Sequence, residues 1–268
     1  MSGLSVVIVN YQSGVLLQSC LTALRLHDPL IDDQILVVNN GSPNERSFLE
    51  DFHWPKVRWI QSPSNLGFAC AANCGYRCSQ SEFVLLLNPD VEAKPQSVHE
   101  LLQAMRDDQK AGIVLPQLRN PDESLQYSCR TFYTYPTLFM RRGPWKRWFS
   151  NHRSVREHLL LRWDHQSLRA VDWGLGAAML IRREAAGNQL FDERFFLYFE
   201  DVDLCVRMWE TDWKVLYNPG ARMIHHHRRE SARPLSLKAK EHHFLSLMKF
   251  LWKQKMVLPK ARRHVDED

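Results

Sequence analysis

No apolar stretch in these 268 residues is long enough to span a bilayer. No basic leader followed by an apolar segment opens the chain, which starts on a strand-like run, Leu4-Ser5-Val6-Val7-Ile8-Val9. The six cysteines include no C-x-x-C pair. A disulfide framework is therefore disfavoured, and reduced thiols in a cytoplasmic protein are expected. Cys70, Cys74 and Cys78 recur at helical spacing and read as small residues packing a helix on a sheet, a metal or redox role being the alternative. Neither G-x-G-x-x-G nor a Walker loop is present, which disfavours hydride-transfer dehydrogenases and P-loop ATPases. No zinc-finger or RRM signature appears, so no specific nucleic-acid partner is expected.

What is present in excess is positive charge, a net +5 spread unevenly. Arg141, Arg142, Lys146, Arg147, Arg153, Arg156 and Arg162 crowd one segment, and Arg228, Arg229, Lys238 and Lys240 another. Lys253, Lys255, Lys260, Arg262 and Arg263 follow in the tail. Such patches attract phosphates, nucleic acid or anionic lipid.

The apolar run Phe83–Leu87 stops abruptly at Asn88-Pro89-Asp90. A short apolar run bounded by a turn signal reads as a buried parallel strand, and Pro89 must end it because it cannot donate to the ladder. Asp90 then lies at the carboxyl end of that strand, where open α/β sheets bind ligands. An acid there suits a divalent cation held against a phosphate, with a helix cap as the alternative. Strands at Leu4–Val9, Ile35–Val38 and Val57–Ile60 alternate with helical segments around Leu16–Leu24, Phe48–Leu49 and Phe68–Cys78. This rhythm predicts a parallel sheet with helices on both faces. Each strand delivers polar residues at its end: Asn10-Tyr11, Asn39-Asn40, Asn65 with Gly67, and Asn88 with Asp90. An aromatic ring to stack on a base, amides to read it and an acid for a metal–diphosphate make a nucleotide site, although turn chemistry explains any one of them.

In the second half, Asp172-Trp173-Gly174-Leu175-Gly176 leads into a strand ending at Ile181. Trp173 offers a face for a sugar or fills the core. Glu200, Asp201 and Asp203 follow an aromatic run. A carboxylate among rings gains proton affinity and suits a general base, while an acidic helix start is the alternative. Asp203 and Arg207 are spaced for a structural ion pair. His225-His226-His227 follows Tyr217-Asn218-Pro219, with alternation aiming one His inward and its neighbour away.

These motifs, in this order, resemble the family 2 inverting glycosyltransferases of GT-A fold, most nearly the bacterial rhamnosyltransferase-like branch. The matching stretches are Val7–Tyr11, Asn65–Ala69 with Asn73 and Gly75, Leu87–Asp90, Val171–Ala177, Phe191–Leu204, and Pro219 with His225, roughly residues 4 to 231. The resemblance implies a Rossmann-like, mostly parallel α/β sheet with a nucleotide-sugar half (1–115), an acceptor and catalytic half (116–231) and a basic helical tail (232–268). It implies Asp90 and His225 (His226 as the fallback) at a Mg2+ or Mn2+ ion, and Asp201 as catalytic base. Asn10, Tyr11, Asn39, Asn40, Asn65 and Asn88 then line the nucleotide, and Trp173, Gly176 and Glu200 the acceptor. The reaction implied is a single inverting displacement, with L-rhamnose from dTDP-L-rhamnose the best-matching donor (dTDP- or UDP-linked) and a glycan or lipid-linked hydroxyl as acceptor. The family's second-strand motif usually begins with Asp; here it is Asn39, whose carbonyl accepts a base N–H without charge assistance. A non-catalytic nucleotide-sugar or glycan-binding module is the alternative. The segment Thr131–Trp163 shows no clear strand–helix rhythm; its Trp145, Trp148 and Trp163 among cations match a membrane-interface pattern, with contact to an anionic inner membrane face expected and a solvated basic loop as the alternative. The helix around Phe244–Trp252 packs on the domain or pairs two subunits.

Overall fold

The structure is a computed structural model describing residues 3–27, 34–41, 54–141, 144–226 and 237–262. The helix expected around Phe48 and Leu49, and His227, lie outside the described residues.

The amino-terminal half runs β1 (Leu4–Asn10), α1 (Gly14–His27), β2 (Ile35–Asn39), β3 (Val57–Gln61), α2 (Phe68–Cys78) and β4 (Phe83–Leu87). Then come β5 (Val91–Ala93), α3 (Ser97–Asp107), β6 (Ala111–Arg119) and β7 (Cys129–Arg130). The basic segment without rhythm resolves into α4 (Tyr135–Met140), a 3-10 turn (Pro144–Arg147) and α5 (Arg153–His158). Thr134 and Thr137 form a reciprocal capping box that starts α4. Next are β8 (Arg169–Ala170), β9 (Trp173–Gly174), β10 (Ala178–Arg182), α6 (Arg183–Ala186), α7 (Glu200–Glu210), β11 (Lys214–His225) and α8 (Leu237–Lys253).

The main sheet has the order β3-β2-β1-β4-β10-β6-β11-β5, with β8 also on β11. Strands β3, β2, β1, β4, β6 and β11 run one way; β10, β5 and β8 run against them. The sheet is thus mostly parallel, with one short reversed strand, β5, right after β4 and the other two reversals, β8 and β10, in the second half, where the sequence rhythm fades. Alternation along β1 splits the core. Val7 and Val9 pack with α2, α7 and α8, whereas Val6 and Ile8 pack with α1 and α3.

One sequence expectation changes. Cys70, Cys74 and Cys78 are only half-buried. The line of α2 that meets the sheet is Ala71, Ala72 and Gly75, and a Cβ on Gly75 would stand 2.5 Å from Val7 Cγ1. Close helix–sheet approach selected the smaller residues and displaced the thiols sideways.

The last helix is fastened by charge. Lys253 Nζ lies 2.7 Å from Asp203 Oδ1 and 2.8 Å from Asp192 Oδ2, and the Asp203 side chain is fully buried. Asp203 also meets Arg207 at 3.4 Å, the pair expected from their spacing. Ser246 donates to the Leu197 carbonyl and Lys249 to that of Arg194, so α8 holds the whole 191–203 stretch from behind. Arg194 first, then Lys253, hold the Asp192 carboxyl below the usual aspartate range. Its folded value lies below its unfolded one, so its stabilisation is complete above about pH 4 and is lost as pH falls further. Lys253→Met leaves Asp203 a buried acid with Arg207 as its remaining cation. Urea unfolding should show a loss of about 2–3 kcal/mol, reduced from a fully buried pair by Lys253's own partial exposure, and the loss should shrink in acid.

Candidate functional site

The carboxyl ends of β1, β2, β3 and β4 meet at one edge, and amides join the first three. Asn10 Nδ2 donates to Asn39 Oδ1 at 3.1 Å, and Asn39 Nδ2 donates to Gln61 Oε1 at 2.9 Å. Asn40 Nδ2 donates to Asn65 Oδ1 at 3.0 Å, and Asn40 Oδ1 accepts from the Leu66 N–H. Asn10, Asn39 and Asn40 are buried. Their side chains lie below the surface and fix the loops above. The exposed members at this edge are Tyr11, Gln61 and Asn65. Asn39 differs from an aspartate in a way that matters here. Its NH2 donates to Gln61, which an ionised carboxylate could not do.

Gly67 explains the Asn65-Leu66-Gly67-Phe68 motif. Its φ is +83°, and a Cβ there would stand 2.5 Å from the Phe196 carbonyl oxygen, which accepts from the Phe68 N–H at 2.7 Å. Asn73 on α2 completes this join. It donates to the Phe191 carbonyl (2.7 Å) and to Glu193 (3.0 Å), and accepts from the Phe191 N–H. The loop after β3 and the segment before α7 are thus one packed unit.

At the end of β4, the Val91 N–H donates to the Asn88 carbonyl, closing a turn with Pro89 and Asp90 at its centre. The Asn88 N–H donates to the Ala177 carbonyl at 2.8 Å, while Asn88 Oδ1 is buried with no hydrogen-bond partner among the described residues. Asp90 Oδ2 lies 3.6 Å from His225 Nε2, because His225 on β11 stands opposite Val91 on β5. His225 Nδ1 is 2.9 Å from Gln126 Oε1. Gln126 Nε2 donates to the Asn120 side chain and the His225 carbonyl, so Oε1 accepts and Nδ1 carries the proton. The neutral ring then has its lone pair at Nε2, the nitrogen nearest Asp90. His226 turns the other way, to Glu92 at 3.0 Å, as strand alternation requires. Among the described residues no cluster of three or more His, Cys, Asp or Glu gathers. One carboxylate and one imidazole with an oriented outer partner nevertheless fit a divalent ion completed by substrate phosphate and water.

Glu200 and Asp201 open α7 behind Tyr198 and Phe199, which both have φ of 70°, in the left-handed region. Two consecutive strained aromatic residues persist only under tight packing. Phe250 and His243 of α8 and Tyr133 supply it against Phe199. Asp201 accepts from the Gly176 N–H at 3.1 Å and from its neighbour Val202 N–H at 2.8 Å. Burial raises its proton affinity, while these two donors and the nearby Arg130 guanidinium oppose the rise. Glu200 is almost fully buried, and its Oε2 has no partner among the described residues. Burial, and next the Asp201 charge, hold its proton well above the usual glutamate range.

Two acceptor-side expectations change accordingly. Trp173 is 2 % exposed, donates its indole N–H to the Thr131 carbonyl and packs against Tyr133, so it is core rather than a sugar platform. Glu200 likewise presents no open carboxylate. Gly176 is half-exposed beside Asp201. Sequence reading missed Gln126 and Arg130. Neither sits in a motif, and their roles come from β11 and β9 lying alongside. Arg130 lies 5.2 Å over the Trp173 ring. Asn88 and Asp201 reach neighbouring residues of one connection, Ala177 and Gly176, so both motifs border the start of β10.

Comparison with known proteins shows the family and the fold. Residues 5–172 match the family described as Glycosyl transferase family 2. An N-acetylglucosaminyl-diphospho-decaprenol L-rhamnosyltransferase of Mycobacterium tuberculosis (strain CDC 1551 / Oshkosh) is 31% identical over 265 residues, covering 90% of this chain and 81% of that protein. Rhamnosyltransferase WbbL of Escherichia coli (strain K12) is 25% identical, covering 68% of this chain and 66% of that protein. Among solved structures, GalNAc-T7 with UDP, GalNAc and Mn2+ superposes with a TM-score of 0.67 at 12% identity, over 95% of this chain and half of that chain. The mannosyltransferase PcManGT of Pyrobaculum calidifontis, in complex with GDP-Man and Mn2+, gives 0.63 at 15% identity, over 97% of this chain and 65% of that one. These two share the fold. The chain belongs to glycosyl transferase family 2, in its rhamnosyltransferase branch, and is a glycosyltransferase.

Proposed function

We propose that this enzyme moves L-rhamnose from dTDP-L-rhamnose to a hydroxyl of a lipid-linked diphosphate glycan, with inversion in a single displacement. The donor sugar and acceptor class are supported by the name of the mycobacterial relative, whose alignment covers nine-tenths of this chain. The mechanism rests on one observation: Asp201 is only partly buried and is held by two backbone N–H groups beside the half-exposed Gly176.

Tyr11 and Asn65 would meet the nucleotide, on loops kept in place by the buried amides. Asp90 and His225 would hold Mg2+ or Mn2+, which supplies Lewis-acid charge for the departing nucleoside diphosphate. Gln126 keeps the His225 lone pair toward Asp90. Asp201 takes the proton from the acceptor hydroxyl as that oxygen attacks the anomeric carbon opposite the leaving group. Its two backbone donors and Arg130 favour the ionised form, and partial burial keeps that form basic. Glu200 is enclosed, and burial with the adjacent Asp201 raises its proton affinity, which disfavours it as a nucleophile. A single displacement, which needs no covalent glycosyl intermediate, therefore fits the described residues better than a double one.

Asp201→Asn should lower kcat by about a hundredfold to ten-thousandfold while leaving the melting shift induced by dTDP-L-rhamnose and Mn2+ intact. An unaltered rate would remove Asp201 as base. Because the base must be ionised, kcat/KM should fall as pH is lowered through a value above the ordinary aspartate range, and that acid limb should vanish in Asp201→Asn. Asp90→Asn combined with His225→Ala should abolish the Mn2+-dependent part of the ligand-induced melting shift; its persistence would move the ion elsewhere.

A further inference from the structure

Helix α8 has two apolar faces, and the fold uses one. Leu247, Phe250 and Leu251 are buried against the core. On the adjoining face Phe244, Leu245, Met248 and Trp252 follow i, i+1, i+4, i+8 spacing and stand open, Phe244 at 60% and Trp252 at 74% exposure. The stripe continues past the helix end through the exposed Met256, whose carbonyl accepts from the Tyr135 hydroxyl of α4. One turn along α4, Phe139 is exposed and contacts the Phe149 ring next to Trp148, which is 85% exposed. Exposed lysines border the stripe: Lys238 and Lys240 at the start of α8, and Lys255 just past its end. Lys146 and Arg147 precede Trp148. Glu241 is the single acid on the helix.

We propose that this stripe lies on an anionic bilayer surface, with α8 parallel to the membrane plane. The chemistry of a lipid interface matches both components: aromatic and aliphatic side chains for the acyl boundary, and lysine ammonium groups for the phosphates. No helix of the described residues is long and apolar enough to cross a membrane, so the contact is peripheral. A second copy of the chain is the competing occupant. A two-fold pairing would set this lysine-bordered stripe against itself and bring like charges together, whereas an anionic surface neutralises them. The far side of the same helix contacts Phe196, Tyr198 and Phe199 through His242 and His243, so the stripe and the α7 start share one support. Docking would thus bring the candidate base near the headgroups that carry a lipid-linked acceptor. The docking argument itself stands without that acceptor assignment.

The test is flotation with phosphatidylglycerol-containing vesicles, with phosphatidylcholine vesicles in parallel. The wild-type chain should float with the anionic vesicles, less with the neutral ones, and less in high salt. Phe244→Glu with Trp252→Glu should weaken that binding by about tenfold or more. Both positions are exposed, so the melting temperature and the transfer rate to a water-soluble acceptor should stay at wild-type values. Failure of the wild-type protein to float, equal flotation of the double variant, or a concentration-dependent dimer that the variant abolishes without vesicle binding would each overturn the proposal. Vesicle binding requires no turnover, so its failure leaves the transferase reading standing, and loss of activity in Asp201→Asn leaves the docking reading standing.

Discussion

One backbone hydrogen bond, from the Asn88 N–H to the Ala177 carbonyl, joins the two halves of this protein at the edge where the candidate site residues gather. It extends the antiparallel pairing of β4 with β10 by one step beyond Leu87 and Ala178. On one side of it the chain turns through Pro89 to present Asp90; on the other, Gly176 donates to Asp201. A buried N–H or carbonyl left unpaired here would be costly, so the link is fixed in the fold's own ladder rather than in mobile side chains. Two acids more than a hundred residues apart are thereby held with respect to a single strand end.

The candidate base depends on a second layer of support. Tyr198 and Phe199 adopt a backbone that aromatic residues resist, and they are held there from both sides. Gly67, Phe68 and Asn73 grip the segment from α2, while Ser246, Lys249 and Lys253 grip it from α8. The buried side of the terminal helix therefore supports the loop that carries the candidate base, although the helix lies outside the segment matched by the family. Its charged anchors and its aromatic contacts act on the same loop, which couples the stability of the tail to the geometry of the site.

Buried polarity does different work in the two halves. At the ends of β1, β2 and β3, Asn10 donates to Asn39, Asn39 to Gln61 and Asn40 to Asn65, which rigidifies loops whose exposed members are Tyr11, Gln61 and Asn65. Neutral amides suit this task because each both donates and accepts. On the acceptor side, Glu200 and Asp201 are adjacent acids in a poorly solvated place, and their environments separate them. Glu200 Oε2 has no partner among the described residues, and burial raises its proton affinity strongly; Asp201 has two N–H groups and a nearby guanidinium that oppose the rise. Such divergence between neighbouring carboxyl groups is how one site keeps an acid and a base distinct.

The sequence by itself determined the parallel first half. Short apolar runs ended by Asn, Pro or Gly, with helical periods between them, leave few other folds, and Phe68–Cys78 and Phe83–Leu87 fall where their periodicity places them. It also determined that polar residues gather at strand ends, that Asp203 pairs with Arg207, and that His225 and His226 diverge. Tertiary structure decided which of those polar residues reach the surface. Asn39 and Trp173 read as ligand contacts because amides and indoles bind ligands, yet neighbours contributed by distant strands buried both. The reversal of β10, the tautomer of His225 set by Gln126, and the strain before Glu200 arise from contacts across long sequence separations. Local pattern records which residue types can do chemistry; only the packing of remote segments fixes which of them are solvated, oriented and charged.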